Sequence, residues 1–403
     1  KKMKVTFTPG KAHGTVCAPP SKSYAHRELI CAALAQGESV IKGVEDSEDI
    51  SATSDCVRAL GAEIEQTDGG LRIKGGLTPS AEKVFMCRES GSTLRFFLPL
   101  ALLKEGKATF RGTERLMQRG IGIYEDIFRE KGISVEKSAG TVTVGGKLTA
   151  GEYTLRGDVS SQFVTGLLFA LPLLEKDSVL RVLPPVESRG YIDITVDVLK
   201  KFGVTVEEKE PNVFTVKGGQ RYIPTEVEVE KDWSNAAFLL ALNEVGGEVT
   251  VTGLSETSLQ ADRVCAEIFR RLDIQNAVID VSGCPDLAPI LFAVAAAKHG
   301  AKFVGTRRLK IKESDRAEAM TRELLKFGVK SEVGENEVVL FSNGISKPAK
   351  TLSGHNDHRI VMALSVLASA TGGSIEGAEA VKKSFPNFFD VIAGLGTEAE
   401  YEF

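Results

Sequence analysis

Phe202-Gly203-Val204-Thr205-Val206-Glu207 is one of six copies of a pattern in which a helical stretch ends at glycine and a polar strand begins. The glycine position recurs at 61, 132, 203, 273, 328 and 396, with aspartate in the fourth copy. The spacings are 71, 71, 70, 55 and 68 residues, so similar units fill the chain. Such a period indicates a repeated supersecondary unit, and residues at one point of every unit can converge on one site.

Each unit reads as helix, strand, helix, strand, strand. The first helix is apolar nearly all round, which predicts burial on every side. The second helix is amphipathic, as in 193–202, and a hairpin closes the unit, as in 202–217 with its turn at Pro211-Asn212. The six apolar helices are predicted at 24–35, 93–103, 163–174, 236–242, 287–298 and 360–370.

Helices inside and sheets outside follow from these patterns, because the hairpins alternate polar and apolar residues and so have one wet face. Three units can bury three such helices together, so six units predict an α/β (α+β) fold of two pseudo-threefold domains. The expected seams are Pro19-Pro20 and the charged stretch 226–232. We therefore expect one domain from 20–228 and another from 1–19 plus 229–403. The unit after Asp273 is short, and we expect its hairpin to be reduced.

The composition is that of an ordinary globular protein, with 42% hydrophobic and 26% charged residues. A net charge of −4 argues against a nucleic-acid partner. The apolar runs 163–174 and 287–297 are too short to span a bilayer. The six cysteines lack C-x-x-C pairs and lie mostly in apolar segments. Together with the lack of a visible signal peptide, this predicts reduced thiols and a cytoplasmic location.

Each apolar helix follows a residue that can cap a helix N-terminus. The predicted caps are Ser21 or Ser23, Ser92, Ser160 or Ser161, Ser234, Asp286 and Asp357. Helix N-termini carry partial positive charge and free N–H groups. The pseudosymmetry puts these ends on one face of each domain, where they can attract anions.

Basic residues recur at the same points of the repeat. They are Lys22, Arg27, Arg95, Arg119, Arg189, Lys310, Lys312, Arg316, Arg359, Lys382 and Lys383. For any single residue, helix capping or surface solvation is the favoured explanation. Since acidic residues outnumber basic ones overall, 54 to 50, the set as a whole predicts a polyanionic ligand.

Five separated motifs carry a resemblance to a known family. They are Pro20-Ser21-Lys22-Ser23-Tyr24-Ala25-His26-Arg27, Glu89-Ser90-Gly91-Ser92-Thr93-Leu94-Arg95, Gly157-Asp158-Val159-Ser160-Ser161-Gln162-Phe163, Lys312-Glu313-Ser314-Asp315-Arg316 and Asn356-Asp357-His358-Arg359. With Lys383-Ser384-Phe385-Pro386, they resemble the 5-enolpyruvylshikimate-3-phosphate synthase family in order along the whole chain. The family fold has two domains of three βαβαββ units with helices inside, which agrees with the fold predicted from the repeat.

The resemblance implies transfer of the enolpyruvyl group of phosphoenolpyruvate to the 5-hydroxyl of shikimate 3-phosphate. The reaction passes through a tetrahedral ketal, which then releases phosphate, and it belongs to the chorismate pathway of aromatic amino-acid biosynthesis. The resemblance implies no metal or organic cofactor. We expect a monomer whose partners are the two small substrates, with no nucleic acid and no membrane.

The resemblance also assigns site residues. Phosphoenolpyruvate is expected on Lys22, Gly91, Arg119, Gln162, Arg316, Arg359 and Lys383. Shikimate 3-phosphate is expected on Ser23, Arg27, Ser160, Ser161, Gln162, Ser188, Tyr191, Asp286 and Lys312, mostly in the domain 20–228. Asp286 is the candidate base, and Glu313 and Lys22 are candidate acids, because one hydroxyl must lose a proton while the enol carbon gains one.

The sequence departs from a common family pattern at Glu89, Ser92, His26, Arg308 and Gly190. Two alternatives remain open. A sister enolpyruvyl transferase acts on UDP-N-acetylglucosamine and usually has a reactive cysteine in a mobile loop, whereas 115–119 has none here. A catalytically inactive protein that binds phosphorylated metabolites is the other alternative, against which the retained carboxylates and cations argue.

Overall fold

The chain forms two compact units in the computed structural model, which describes residues 1–78 and 82–403. We call residues 20–230 the central unit, and residues 1–19 with 231–403 the terminal unit. The chain therefore changes unit twice, after Pro19 and after Glu230. The second change lies two residues beyond the boundary at 228 that the sequence analysis placed.

The chain alternates short strands with helices throughout. Up to residue 230 the elements are β1 (Lys4–Thr8), β2 (His13–Cys17), α1 (Lys22–Leu34), β3 (Gly37–Lys42), α2 (Glu48–Ala59), β4 (Glu63–Thr67), β5 (Gly70–Gly75), β6 (Glu82–Arg88), α3 (Gly91–Leu100), β7 (Gly106–Gly112), α4 (Glu114–Gln118), α5 (Gly122–Glu130), β8 (Ser134–Ser138), β9 (Thr141–Gly146), β10 (Glu152–Arg156), α6 (Gln162–Ala170), β11 (Ser178–Leu183), α7 (Arg189–Lys201), β12 (Glu207–Glu210), β13 (Val213–Val216) and β14 (Glu226–Glu228).

The remaining elements all belong to the terminal unit. They are α8 (Trp233–Ala241), β15 (Glu248–Thr252), α9 (Cys265–Arg271), β16 (Val278–Asp280), α10 (Ala288–Ala297), β17 (Ala301–Val304), α11 (Arg316–Lys326), β18 (Lys330–Val333), β19 (Glu337–Phe341), β20 (Leu352–Ser353), α12 (His358–Thr371), β21 (Gly373–Glu376), α13 (Phe388–Gly394) and β22 (Glu398–Glu402). In the described ranges, every helix is too short or too polar to cross a bilayer.

The central unit contains the same four-stranded sheet three times. The strand orders are β14-β3-β5-β4, β6-β7-β9-β8 and β10-β11-β13-β12. In each sheet the first pair is parallel and the following pairs are antiparallel. This repetition confirms the unit that the glycine spacing predicts, including the turn at Pro211-Asn212 between β12 and β13.

The terminal unit repeats the same sheet with two variations. β16-β17-β19-β18 is complete, whereas β20-β21-β1-β22 builds its hairpin pair from the first and last strands of the chain. The third sheet consists of β2 and β15 alone. The short connection from α9 to β16 leaves no room for a hairpin, as the 55-residue spacing predicts.

The first helix of each repeat lies inside its unit. In α10 every residue from Ala288 to Ala296 is buried, and α8, α10 and α12 pack against one another in the core of the terminal unit. In the central unit α3 packs directly on α6, where the rings of Phe96 and Phe169 lie 5.7 Å apart. The predicted arrangement of buried helices and outer sheets is confirmed, and the apolar surface removed from water drives it.

Three of the predicted helix caps are wrong. Ser21 and Asp357 cap α1 and α12 as predicted, but Ser90 caps α3 and Asp232 caps α8. α3 and α8 begin two and three residues before the predicted starts at 93 and 236, so their caps lie earlier as well, whereas α10 begins at Ala288 and its cap position is Leu287, one residue after Asp286. Ser92, Ser234 and Asp286 are therefore free of the capping role, and their side chains make other hydrogen bonds.

The cysteines largely follow the sequence prediction. All six are free thiols, and only Cys17 among them is exposed. The other five lie in the apolar interior, where a cysteine packs as a small hydrophobic residue.

Glu28 is a carboxyl buried in α1 of the central unit. The side chain is fully buried, and neither carboxyl oxygen has a hydrogen-bond partner among the described residues. Burial raises the pKa of Glu28 to about 8, helped by Glu230 and Asp197 and opposed by Lys201. The folded chain therefore holds Glu28 protonated, since removing the proton would leave a buried charge.

This burial predicts a pH-dependent stability. The folded pKa of Glu28 lies above its ordinary value of 4.5, so the folded state binds more protons than the unfolded state between these values. The contribution of Glu28 to stability must then fall as pH rises, by about 2 kcal/mol between about pH 5 and 6.5. In urea unfolding followed by circular dichroism, the stability of Glu28→Gln relative to the wild type should therefore rise by about this amount over that range. The exposed carboxyl of Glu38 supplies the control, because Glu38→Gln should keep a constant difference from the wild type, and a constant difference in Glu28→Gln would contradict the assignment.

Candidate active site

Three of the predicted site residues are the first residues of buried helices in the central unit. Lys22 begins α1, Gly91 begins α3 and Gln162 begins α6. Their N-termini present unpaired N–H groups and the positive ends of the helix dipoles. The repeat therefore supplies three similar anion-attracting ends, and the side chains at these ends decide what each can bind.

Gly91 lies directly against a cation. A Cβ atom at Gly91 would stand 3.6 to 3.8 Å from the guanidinium atoms of Arg119, which follows α4. The lack of a side chain leaves that guanidinium and the start of α3 open to a small anion. Burial raises the pKa of Asp49 in α2, while the charges of Lys22 and Arg119 oppose the rise. Asp49 therefore lies within the field of the same two cations, although the sequence analysis did not select it.

Gln162 connects two of the helix starts. Its side-chain oxygen accepts a hydrogen bond from Arg95 at 2.9 Å, and its side-chain nitrogen donates to Ser92 Oγ at 2.8 Å. The Arg95 guanidinium stacks over the ring of Phe163 at 4.7 Å. The amide of Gln162 is thereby fixed in orientation between α3 and α6.

Arg27 is a buried cation without a carboxylate partner in the described part of the chain. Only 3% of its surface is exposed, and it donates to Thr195 Oγ1 at 2.8 Å and to the Ser23 carbonyl at 2.9 Å. The rings of Phe96 and Tyr191 lie 5.1 and 5.9 Å from its guanidinium carbon. Burial lowers the pKa of Arg27 to about 10, so it remains charged at neutral pH. A buried charge of this kind needs an anion, which a ligand can supply.

The other central residues of the predicted set surround the starts of α6 and α7. Ser160 Oγ accepts from the Gln162 backbone N–H at 3.2 Å, and Ser161 occupies the cap position of α6. Ser188 occupies the cap position of α7 without a capping side-chain bond, and its φ of 55° lies in the left-handed region that is uncommon for serine. Tyr191 lies in the first turn of α7. Backbone strain of this kind is concentrated at functional sites.

Arg316 is the centre of an ion network in the terminal unit. Its Nε donates to Asp357 at 2.9 Å, its Nη1 to Asp286 at 3.1 Å and its Nη2 to Glu313 at 2.6 Å. The side chain is 1% exposed. The guanidinium thus fixes two of the catalytic candidates, Asp286 and Glu313. A direct contact between Arg316 and phosphoenolpyruvate stays a prediction.

Asp286 is surrounded by cations. Lys312 Nζ lies 3.5 Å from its carboxylate, and Arg359 donates to its backbone carbonyl at 3.3 Å. Burial acts to raise the pKa of Asp286, but Arg359, Lys312 and Arg316 outweigh it and hold that pKa well below its usual range. Asp286 is therefore ionised at neutral pH, as a proton acceptor must be.

Asp262 shows the opposite shift. Burial and the neighbouring Asp286 raise its pKa to about 6, while Arg359 and a hydrogen bond from Ser234 oppose the rise. Ser234 also accepts from Arg359 Nη1 at 2.7 Å. Two neighbouring carboxyls with separated pKa values are typical of acid–base sites.

The start of α12 rests on two consecutive left-handed residues, His355 and Asn356, with φ of 52° and 53°. Lys383 donates to the backbone and side-chain oxygens of Asn356. Glu323, buried below, binds His355 Nε2 at 2.8 Å. These contacts fix the turn that leads into Asp357 and Arg359. His358 is buried, and burial together with Arg359 lowers its pKa to about 3, so it is neutral.

Comparison of the sequence with known proteins identifies the family of the chain. The sequence model of EPSP synthase (3-phosphoshikimate 1-carboxyvinyltransferase) matches residues 7–392. The chain belongs to the EPSP synthase family. It is 42% identical to the 3-phosphoshikimate 1-carboxyvinyltransferase of Clostridium kluyveri, with 98% of both chains covered, and 40% identical to that of Clostridium acetobutylicum, with 97% of both covered. An EPSP synthase structure from Acinetobacter baumannii matches the whole of both chains with a TM-score of 0.89, and its 23% identity limits that likeness to the fold.

The EPSP synthase site residues expected from the motifs divide between the units. The central unit holds Lys22, Ser23, Arg27, Gly91, Arg119, Ser160, Ser161, Gln162, Ser188 and Tyr191, and the terminal unit holds Asp286, Lys312, Glu313, Arg316, Arg359 and Lys383. Direct contacts join Arg27 to Ser23 and Tyr191, Gly91 to Arg119, and Arg316 to Asp286 and Glu313. These groupings are consistent with the assigned roles, which stay predictions.

The sequence analysis missed Asp49, Asp262 and Asn356. Asp49 lies in the first turn of α2 and Asp262 shortly before α9, which are equivalent points of the repeat. The polyanionic ligand was predicted from the basic residues at that point of the repeat, and acidic residues there carry no such signal. A search for acidic residues at the same point would have found both.

Proposed function

We propose that this chain transfers the enolpyruvyl group of phosphoenolpyruvate to the 5-hydroxyl of shikimate 3-phosphate and releases phosphate. The observation that carries the proposal is the full-length similarity to clostridial proteins named 3-phosphoshikimate 1-carboxyvinyltransferase. The product is an enol ether on the path to chorismate and the aromatic amino acids.

Shikimate 3-phosphate is assigned first to the buried cation of the central unit. Arg27 lacks a carboxylate partner among the described residues, and Ser160, Ser161 and Gln162 at the start of α6 offer hydroxyl, amide and N–H groups. A phosphate or a hydroxyl-rich ring can accept and donate bonds to such a set. Ser23, Ser188, Tyr191, Asp286 and Lys312 complete the assignment.

Phosphoenolpyruvate is assigned to Lys22, the start of α3 at Gly91, and Arg119. These groups offer two cations and free N–H groups to an anion with a phosphate and a carboxylate. Gln162, Arg316, Arg359 and Lys383 complete the assignment. Two anionic substrates repel each other, so cations on both are needed before they can react.

The chemistry needs one base and one acid. In our mechanism Asp286 takes the proton of the 5-hydroxyl as its oxygen bonds to C2 of phosphoenolpyruvate, and Glu313 or Lys22 protonates the methylene carbon. The resulting ketal then returns a methyl proton to the deprotonated Glu313 or Lys22 as the C2–O bond to phosphate breaks, which leaves the enol ether and free phosphate. Arg316 holds both Asp286 and Glu313, so it positions the two carboxylates for these transfers.

Neither alternative has a specific observation in its favour. The short helix α4 and the following Arg119 contain no cysteine. A protein that only binds phosphorylated metabolites would have no need of the paired carboxylates around Arg316. The free cysteines suit a reducing compartment, so a cytoplasmic location is part of the proposal, as is a monomeric state.

Phosphate release tests the function directly. The full chain should release phosphate only when shikimate 3-phosphate and phosphoenolpyruvate are both present, and each is omitted in turn as the control. Release with UDP-N-acetylglucosamine and not with shikimate 3-phosphate would transfer the chain to the sister activity. No release with either acceptor would contradict an enolpyruvyl transferase.

The raised pKa of Asp262 predicts a pH-dependent rate. Above about pH 6 the ionised carboxylate can hold Arg359 in place, and below it that charge is lost. We expect kcat/KM for phosphoenolpyruvate to fall below about pH 6 in the wild type. In Asp262→Asn we expect kcat/KM to be about tenfold lower at about pH 8 and to show no further fall near pH 6. Glu267→Gln, on the exposed side of α9, should keep both the wild-type rate and the fall in kcat/KM below about pH 6. If Asp262→Asn still shows that fall, the titration belongs to another group.

A further inference from the structure

A chain of buried hydrogen bonds joins three helices of the central unit. His26 Nδ1 lies 2.7 Å from Thr53 Oγ1, Thr53 Oγ1 lies 2.9 Å from Thr93 Oγ1, and Thr93 Oγ1 lies 2.6 Å from Ser90 Oγ. All four side chains are buried. We call them the Thr53 network. It links α1 and α2 to the residue that caps α3.

The Thr53 network lies one helical turn below the residues assigned to phosphoenolpyruvate. In α1, His26 is four residues after Lys22, and in α2, Thr53 is four residues after Asp49. Residues four apart share a helix face. In α3, Ser90 accepts from the Thr93 backbone N–H and immediately precedes Gly91. The network therefore connects the helix turns below Lys22 and Asp49 to the cap residue that precedes Gly91.

A second network occupies the corresponding place below the shikimate 3-phosphate residues. Thr195 Oγ1 lies 2.9 Å from Thr165 Oγ1, accepts from Arg27 Nε at 2.8 Å and bonds the Tyr191 carbonyl at 2.9 Å. Thr165 is four residues after Ser161. We call Arg27, Thr165 and Thr195 the Thr195 network. In the described part of the chain, no side-chain hydrogen bond joins a member of one network to a member of the other.

Neither network serves as a proton donor at neutral pH. Burial, with Arg27 and Lys22, lowers the pKa of His26 to about 3, so the imidazole is neutral. The remaining members are threonine and serine hydroxyls and the Arg27 guanidinium. What the bonds do is fix relative helix positions, because breaking one leaves its buried partner unsatisfied. A shift of α3 would move the Gly91 backbone relative to Arg119, and a displacement of about 1 Å in a site can cost about 10²-fold in rate.

We propose that the two networks are separate positioning devices: the Thr53 network sets the geometry of the phosphoenolpyruvate end of the site, and the Thr195 network sets that of the shikimate 3-phosphate end. The inference rests on the proposed function. His26, Thr53 and Thr93 are positioning residues, since they act through Lys22, Gly91 and Arg119.

The test uses a matched pair of substitutions. Thr53→Val and Thr195→Val each replace one buried hydroxyl by a methyl group of similar volume. We expect Thr53→Val to raise KM for phosphoenolpyruvate about tenfold and to leave KM for shikimate 3-phosphate within about twofold. Thr195→Val should do the reverse. Thr53→Ser, which retains the hydroxyl, should restore the wild-type KM for phosphoenolpyruvate.

Several results would overturn the inference. One is an equal rise of the KM values for both substrates in either valine variant. Another is wild-type KM values in both valine variants. A third is a Thr53→Ser variant whose KM for phosphoenolpyruvate stays raised. If Thr53→Val does not fold, Thr93→Val addresses the same network and carries the same expectation. Should the wild type release no phosphate, titration calorimetry replaces the KM measurements, and phosphoenolpyruvate is then added to the protein saturated with shikimate 3-phosphate. A wild type that binds both substrates without releasing phosphate would contradict the proposed function, while the variants would still test the positioning roles.

Discussion

Asp286→Asn is expected to release phosphate about 10³ times more slowly than the wild type, with KM values changed only a few-fold. Asparagine keeps the shape of the side chain but cannot accept the proton of the 5-hydroxyl, and general bases contribute about 10² to 10⁴ in rate. Steady-state phosphate release at saturating substrates measures the effect. The loss should fall on kcat, because the base acts in the transition state.

The charges around Asp286 sharpen this expectation. In the free protein Arg359, Lys312 and Arg316 lower its pKa, which makes the carboxylate a weak base. Bound anions would neutralise part of that positive charge and raise the pKa toward a useful value. Asp280→Asn is the matched control, since that carboxylate accepts from the Ser282 N–H at 2.9 Å on the surface. It should stay within about twofold of wild type. A large rise in KM with unchanged kcat in Asp286→Asn would assign Asp286 to binding alone.

Arg316→Met is expected to lower the free energy of unfolding of the terminal unit by about 3 to 5 kcal/mol and to abolish turnover. The substitution leaves Asp357, which is fully buried, together with Asp286 and Glu313, without their shared cation. Removing one partner of a buried ion pair has a cost of this size. The two carboxylates that we assign to proton transfer would also lose their positions.

The chain contains a convenient probe for this measurement. Its single tryptophan, Trp233, is buried at the start of α8 in the terminal unit, so its fluorescence during urea unfolding reports on that unit. Arg322→Met is the control, because Arg322 lies on α11 as Arg316 does. Arg322 pairs with Glu318 at 2.8 Å on the exposed face of α11, and losing that pair should cost no more than about 0.5 kcal/mol. Equal losses in the two variants would contradict the role of the Arg316 network.

Periodicity predicted the fold well because one repeated unit must solve the same packing problem each time. Two patterns recur in each unit: an apolar helix, and a glycine at the end of the amphipathic helix that follows. Together they predicted the order of the elements, the buried helices and the shortened unit after Asp273. Helix starts were predicted less well. Ser90 and Asp232, two residues before the expected caps, cap the N-termini of α3 and α8. The apolar pattern misses these starts because the first turn of a helix does not follow it.

The site was predicted through its cations, and its carboxylates were only partly found. Asp286 and Glu313 stand in motifs, but Asp49 and Asp262 matter through charges that reach them from other helices. The bonds from His26 to Thr53 and from Thr53 to Thr93 join residues 27 and 40 positions apart in the chain. No local pattern in the sequence records such contacts, because they exist only once three helices have packed.

The division of the terminal unit has a consequence for synthesis on the ribosome. The central unit is continuous and can fold once residue 230 has emerged. Strand β1 is made before the central unit, yet both of its neighbours, β21 and β22, are made after it. Strand β1 must therefore wait with its edges unpaired while the residues between are made, and the terminal unit closes only once β22 has emerged.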